Sequence, residues 1–118
     1  MSRYPESSVA DARADLLQGT LDLLILQTVQ KTPLHGWAIS KRIRERSADV
    51  LDVNQGSLYP ALYRLEARGL IVADEGLSEQ GRRVRVYRLS AAGKKHLAQE
   101  VAGWRLFSQA VERILVPA

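Results

Sequence analysis

No cysteine occurs among the 118 residues, so disulfides and thiolate metal centres are closed to this chain and an oxidising compartment offers it nothing. The two histidines, His35 and His96, stand in unrelated segments, and neither a Gly-rich phosphate loop nor a metal-ligand spacing accompanies them. Neither a metal nor a cofactor is expected, and His35 reads as a capping or structural group. Asp74 and Glu75 are neighbours on an expected strand and point to opposite faces, so they cannot cooperate as acid and base. Catalysis is not expected. Long apolar runs are missing too: Asp22 and Gln27 interrupt the most apolar stretch, leaving nothing able to span a bilayer. The start, MSRYPESSVADARA, is polar and mixed in charge, so no signal peptide is expected and the cytoplasm is the expected location. Residues 1–14 read as a flexible tail, or an arm that orders against a partner.

What the chain does have is basic charge, in one place. The net charge is +4. Residues 41–95 hold twelve basic and seven acidic side chains, whereas the remainder holds five basic and six acidic, so the whole surplus lies in the middle. Such a distribution suits a surface that meets phosphates; a solvated surface is the plain alternative.

Residues 53–70, VNQGSLYPALYRLEARGL, lie inside that basic region and read as an amphipathic helix. Leu58, Ala61, Leu62 and Leu65 share one stripe at helical spacing. The opposite face carries Gly56, Pro60, Tyr63 and Ala67, flanked by Arg64 and Tyr59. A face with little bulk, two phenols and a cation suits the major groove of DNA, because bulky side chains would hold the backbone off while hydroxyls and guanidinium reach phosphates and base edges. Asn54 is the preferred N-cap, with Ser57 competing. With Asn54, Pro60 lies past the first turn and removes a bond to the Gly56 carbonyl. Gly69 suits a left-handed C′ position, with Leu70 folding back onto the stripe.

The flanks turn this helix into a motif. Pro33 ends an earlier helix, and His35 or Gly36 opens a short one whose apolar side chains are Trp37, Ile39 and Ile43, with Lys41, Arg42, Arg44 and Arg46 towards solvent. Residues 47–52 form the turn, with Val50 and Leu51 to plug the core. Two short helices with a compact turn make a helix-turn-helix; a helical hairpin without DNA is the alternative. Residues 70–75 and 84–89 read as strands joined by a loop over 76–83, with Arg82 and Arg83 beside Gly81 at the tip, within reach of a sugar-phosphate backbone. Alternation in the second strand gives no clean apolar face, so its register stays open. The expected fold is α+β: mainly α with a small β-hairpin, a winged helix-turn-helix over residues 15–89, followed by a C-terminal dimerisation helix over 90–118.

The ends explain why such a chain would pair with itself. Within residues 20–29, Leu21, Leu23, Leu24, Ile25, Leu26 and Val29 cover nearly all sides of a helix, which calls for burial all round. Ser90 is a plausible N-cap for the last segment, where Leu97, Val101, Trp104, Ser108, Val111 and Leu115 recur at spacings of four and three, the seam of a helix packed on another helix. Phe107 and Ile114 widen it. An intramolecular cover for the first helix is the alternative. Two recognition helices related by a twofold axis would read half-sites about one helical turn apart, a near-palindromic operator.

Four ordered blocks, LLQGTLDLLIL from Leu16, PLHGWAI from Pro33, GSLYPALYRLEARGLI from Gly56 and YRLSAAG from Tyr87, resemble the PadR family of bacterial transcriptional regulators, in its small type with one C-terminal helix. The resemblance implies a homodimeric winged-helix repressor. It would place Gln55, Ser57, Tyr59, Pro60, Tyr63 and Arg64 on the recognition helix and Arg82 and Arg83 at the wing tip. It also implies that a flat aromatic or amphiphilic inducer could bind between the C-terminal helices and the core, against Trp104 and Phe107, although plain packing explains both rings as well. Trp37 departs from the family, which commonly has tyrosine after the His-Gly pair. Two rival functions remain: a winged-helix module that binds protein, and a small-molecule sensor that never touches DNA. Steep weakening of duplex binding with salt would separate a regulator from both.

Overall fold

The computed structural model describes the backbone of residues 6–117 and the side chains of residues 19–117. Its elements are α1 (Glu6–Lys31), β1 (Leu34–His35), α2 (Gly36–Arg46), α3 (Gln55–Ala67), β2 (Ile71–Leu77), β3 (Arg83–Leu89) and α4 (Ala91–Leu115). The architecture is the expected α+β winged helix-turn-helix with a long C-terminal helix. Helix α1 begins at Glu6, ahead of the expected domain start at residue 15. Residues 6–19 contain alanine, leucine, arginine and glutamine without a proline, so nothing breaks the helix ahead of its apolar part. The first five residues of the expected tail lie outside the described residues.

One core holds the elements together. It gathers Leu21, Ile25, Leu26 and Val29 of α1, Ile39 and Ile43 of α2, the whole stripe Leu58, Ala61, Leu62 and Leu65 of α3, and Ile71, Tyr87 and Leu89 of the sheet. Each fully buried aliphatic side chain contributes about 2 kcal/mol. Helix α1 packs against α2, α3, α4 and β3, and Leu23 and Leu24 lie against the same core, which accounts for apolar residues on nearly every side of it.

The ends of α3 are fixed locally. The Asn54 side chain accepts from the Ser57 amide at 2.8 Å, so Asn54 is the cap and Pro60 lies inside the helix. Gly69 has a φ of 73°. The Gly69 amide donates to the Glu66 carbonyl and the Leu70 amide to the Leu65 carbonyl, which closes the helix with a left-handed residue and turns Leu70 into the core.

Between α2 and α3 the backbone takes positive φ at Ala48 (51°) and Asp49 (66°). The Ser47 hydroxyl accepts from the Leu51 amide at 3.0 Å, and Leu51 packs against the core. Val50, expected to plug the core beside it, is 79% exposed, because the two left-handed residues turn it outward.

The three strands run in the order β1-β3-β2, all antiparallel. Strand β1 was not legible: two residues after a proline carry no alternation, and only pairing with β3 makes them a strand. The β2–β3 ladder runs from Ile71 opposite Leu89 to Leu77 opposite Arg83. The expected loop over 76–83 is therefore shorter, since the ladder takes in both Gly76 and Arg83. The tip is residues 78–82, closed by the Gly81 amide donating to the Ser78 carbonyl at 2.9 Å, with Gly81 at a φ of 78°. The open register is resolved by Tyr87 and Leu89, both buried.

Helix α4 starts where expected. The Ser90 hydroxyl accepts from the Gly93 amide at 2.9 Å and donates to the Gly69 carbonyl at 2.6 Å, joining the start of α4 to the end of α3. Leu97, assigned from sequence to a dimer seam, is only 2% exposed and belongs to the chain's own core. The first turns of α4 cover the winged domain; beyond Val101 the helix leaves it, and the molecule is 53 Å long against 31 and 26 Å in the other directions.

Candidate nucleic-acid interface

Helix α3 packs its leucines inward and so must turn Gly56, Pro60, Tyr63 and Ala67 outward. All four are exposed, as are Gln55 and Ser57 in the first turn; Tyr63 is 75% exposed. Pro60 removes one backbone bond from the Gly56 carbonyl, and the helix persists because the buried stripe on either side of it holds the turn. Tyr59 is both surface and packing. Its ring lies against Gly36, where an added Cβ would meet the ring and hydroxyl at 2.9 Å, so the first residue of α2 sets how this phenol is presented.

The arginines separate into two groups. Arg64 does not project from the recognition face as expected: its guanidinium donates to Asp22 of α1 at 3.0 Å and ties α3 to the domain, because Arg64 lies at the edge of the stripe, within reach of the α1 carboxylate. Arg85 donates to Glu66 at 2.6 Å and Arg88 to Asp74 at 2.8 Å. Arg82 and Arg83, by contrast, are exposed and have no carboxylate partner among the described residues. An unpaired cation meets phosphate without first giving up an ion pair, so these two are the wing's available charges. Arg82 is at the tip; Arg83 is the last ladder residue beside it.

A concave cleft of about 1120 Å³ lies between α2, α3 and the hairpin. Tyr59, Tyr63, Arg82 and Arg83 line it together with Lys41, Arg42 and Trp37. Sequence reasoning missed Trp37 as a surface group, grouping it with Ile39 and Ile43. It is 53% exposed. The signal was present: Ile39 and Ile43 are four apart on one face, whereas Trp37 is two residues from Ile39, on the far side of a helix. Tyr87 also borders the cleft, and burial raises its phenol above the usual range, with the Arg85 guanidinium acting the other way.

The expected seam on α4 divides at Val101. Leu97 is in the core and Val101 lies against it, while Trp104, Phe107, Val111 and Leu115 are exposed and Ser108 is half-buried with its hydroxyl donating to the Arg105 carbonyl. The Trp104 and Phe107 ring centres are 6.2 Å apart. Leu106 and Ile114 add to the exposed apolar surface. Among the described residues no group of His, Asp and Glu could hold a metal ion, and no helix is long and apolar enough to cross a membrane.

Comparison with known proteins agrees with this geometry. Residues 25–99 match the transcriptional regulator PadR-like family. A transcriptional regulator of Mycobacterium tuberculosis is 37% identical over 78 residues, covering 66% of this chain and 69% of that protein. An uncharacterized protein of Lysinibacillus sphaericus is 30% identical over 92 residues, covering 78% of this chain and 84% of its own length. The structure of a transcriptional regulator from Clostridium thermocellum superposes with a TM-score of 0.79 at 28% identity, over 86% of this chain and 99% of that one.

Proposed function

Since this chain belongs to the PadR-like family of transcriptional regulators, we propose that it is a homodimeric repressor that occupies a near-palindromic operator and releases it when a small ligand binds. The observation that carries DNA docking is the coincidence, around one cleft, of a slim exposed α3 face and two unpaired wing arginines. Helix α3 enters the major groove with Gln55, Ser57, Tyr59, Pro60 and Tyr63 towards the bases and their flanking phosphates, while Arg82 and Arg83 bind the backbone beside it. Arg64 contributes through the position of α3.

The second part of the reading concerns α4. Its outer half presents Trp104, Phe107, Val111 and Leu115 to solvent in the single chain, and a second copy of the same surface about a twofold axis is what would bury them. The paired rings Trp104 and Phe107 suit a flat aromatic or amphiphilic inducer wedged at that seam. Such a ligand releases DNA only if it binds unequally to two spacings of the recognition helices.

Selection of bound fragments from random duplexes, followed by titration of the winner at two salt concentrations, tests the reading. The expected result is a two-part site with centres about one helical turn apart and affinity that falls steeply with salt. Failure to retain any duplex at low ionic strength overturns it.

A further inference from the structure

Helix α4 is 25 residues long, yet it is fastened to the winged domain only near its start. Gly93 and Leu97 are its buried residues, and Val101 packs partly against the core. Residues 102–115 stand clear of the domain, exposed except for half-buried Ser108. At about 1.5 Å per residue this outer part reaches roughly 20 Å beyond its support. A tilt of about 10° at the base therefore displaces the far end by roughly 3.5 Å, close to the rise of one base pair. The angle at which α4 leaves the domain governs any pairing made through its outer half.

That angle is set against the end of α3, by contacts between two short stretches of chain. The Ser90 amide donates to the Leu70 carbonyl at 3.1 Å. Gly93 lies so close to the same carbonyl that a Cβ there would overlap it. The Ser90 hydroxyl completes the joint by serving both helices. It accepts from the Gly93 amide at 2.9 Å as the cap of α4, and it donates to the Gly69 carbonyl at 2.6 Å where α3 stops. A hydroxyl can do both, whereas an ionised carboxylate, an equally good cap, only accepts.

We infer that Ser90 is a positioning residue for DNA recognition: its hydroxyl fixes the angle between the recognition helix and the dimerisation arm, and so sets the half-site spacing that the dimer accepts. The inference rests on the reading of α3 as the recognition helix and of outer α4 as the dimer seam. With the seam held on a twofold axis, a swing at the joint moves the two α3 helices in opposite directions, so each change counts twice along the duplex. The remaining ties on α3 run elsewhere: its leucines sit in the core, and Arg64 donates to Asp22 of α1. Ser90 itself touches neither base nor phosphate, and acts only through the placement of α3.

The test compares Ser90→Asp, which keeps the cap but sets a carboxylate against the Gly69 carbonyl, with Ser90→Thr, which keeps both bonds. A selected two-part duplex is remade with its half-sites one or two base pairs closer or farther apart, and affinity is read by anisotropy. In parallel, pulsed dipolar spectroscopy measures the distance between the two α3 helices of the free dimer, through spin labels on Ala67→Cys, the single thiol in a chain that otherwise has none. The wild-type protein is expected to lose roughly tenfold in affinity for each base pair of displacement. In Ser90→Asp that preference should fall to about threefold or less and the label distances should broaden, with affinity for an isolated half-site and dimerisation by sedimentation unchanged. Ser90→Thr should behave as wild type. A role confined to capping leaves the spacing preference alone, because aspartate caps α4 as well as serine does. An unchanged spacing profile and unchanged label distances in Ser90→Asp overturn the inference and leave the regulator reading intact. Loss of the preference in Ser90→Thr as well overturns it too, since the hydroxyl is then not what holds the angle. Ser90→Ala, which removes both bonds without adding charge, is measured beside them, and a wild-type profile in that variant overturns the inference even where Ser90→Asp does not fold. A wild-type protein that is indifferent to spacing, or that retains no duplex at low ionic strength, overturns both readings.

Discussion

At the scale of single residues, the decisive distinction is whether a cation is already paired. Arg64 lies on the recognition helix and Arg83 beside the wing tip, yet only Arg83 is free. Arg64→Met is expected to lower stability by under about 1 kcal/mol, because its ion pair is partly exposed, and to leave the salt slope of DNA binding unchanged. Arg83→Ala should leave the melting temperature alone and flatten that slope by about one. Duplex titrations across a salt series, run beside thermal melts, check both. Backbone conformation gives a second residue-scale expectation. Ala48 holds a positive φ that disfavours any side chain with a Cβ, so Ala48→Gly should raise stability by up to about 1 kcal/mol. Gly69→Ala imposes that strain on the end of α3 and should lower it by about as much. Melting at one fixed protein concentration compares them fairly.

Between elements, a close fit lies where the start of α4 meets the end of α3. A Cβ on Gly93 would overlap the Leu70 carbonyl and crowd Leu89 at 2.7 Å, and neither the carbonyl nor the buried strand end can give way. Gly93→Ala is therefore expected to lower stability by about 3 kcal/mol, read as a shifted urea midpoint. The contact of Tyr59 with Gly36 is close too, but there the neighbour is a partly exposed side chain that can swing. Gly36→Ala should cost little stability while changing how Tyr59 meets DNA, visible as altered preference among duplexes in a binding competition. The same contrast explains what was legible. The stripe of α3, the Asn54 cap and the Gly69 stop are local and were read from spacing and cap chemistry. The two-residue β1 and the outward turn of Val50 depend on partners and on dihedral angles that no spacing reveals.

Over the whole molecule, the apolar surface divides at Val101. Most apolar side chains described ahead of Val101 join the chain's own core, with Val50, Tyr63 and Leu77 left exposed, whereas the outer half of α4 joins no core among the described residues. Trp104→Ala is expected to weaken self-association by about tenfold or more, since a central aromatic anchor contributes upwards of ~1.4 kcal/mol to such an interface. Sedimentation over a concentration series measures it, and duplex affinity should fall in parallel because two linked half-sites bind far more tightly than one. An unchanged monomer–dimer equilibrium would remove Trp104 from the seam.

Periodicity and local hydrogen-bonding chemistry sufficed to determine the helices of the winged domain, their caps, the buried leucine stripe and the small-bodied face opposite it, because those properties are written within four residues of one another. Which arginines are free, that Leu97 serves the chain's own core, and that Trp37 stands in the cleft were decided by contacts between residues far apart in sequence. Arg64 and Asp22 are 42 positions apart, and only the packing of α3 on α1 brings the two charges to 3.0 Å.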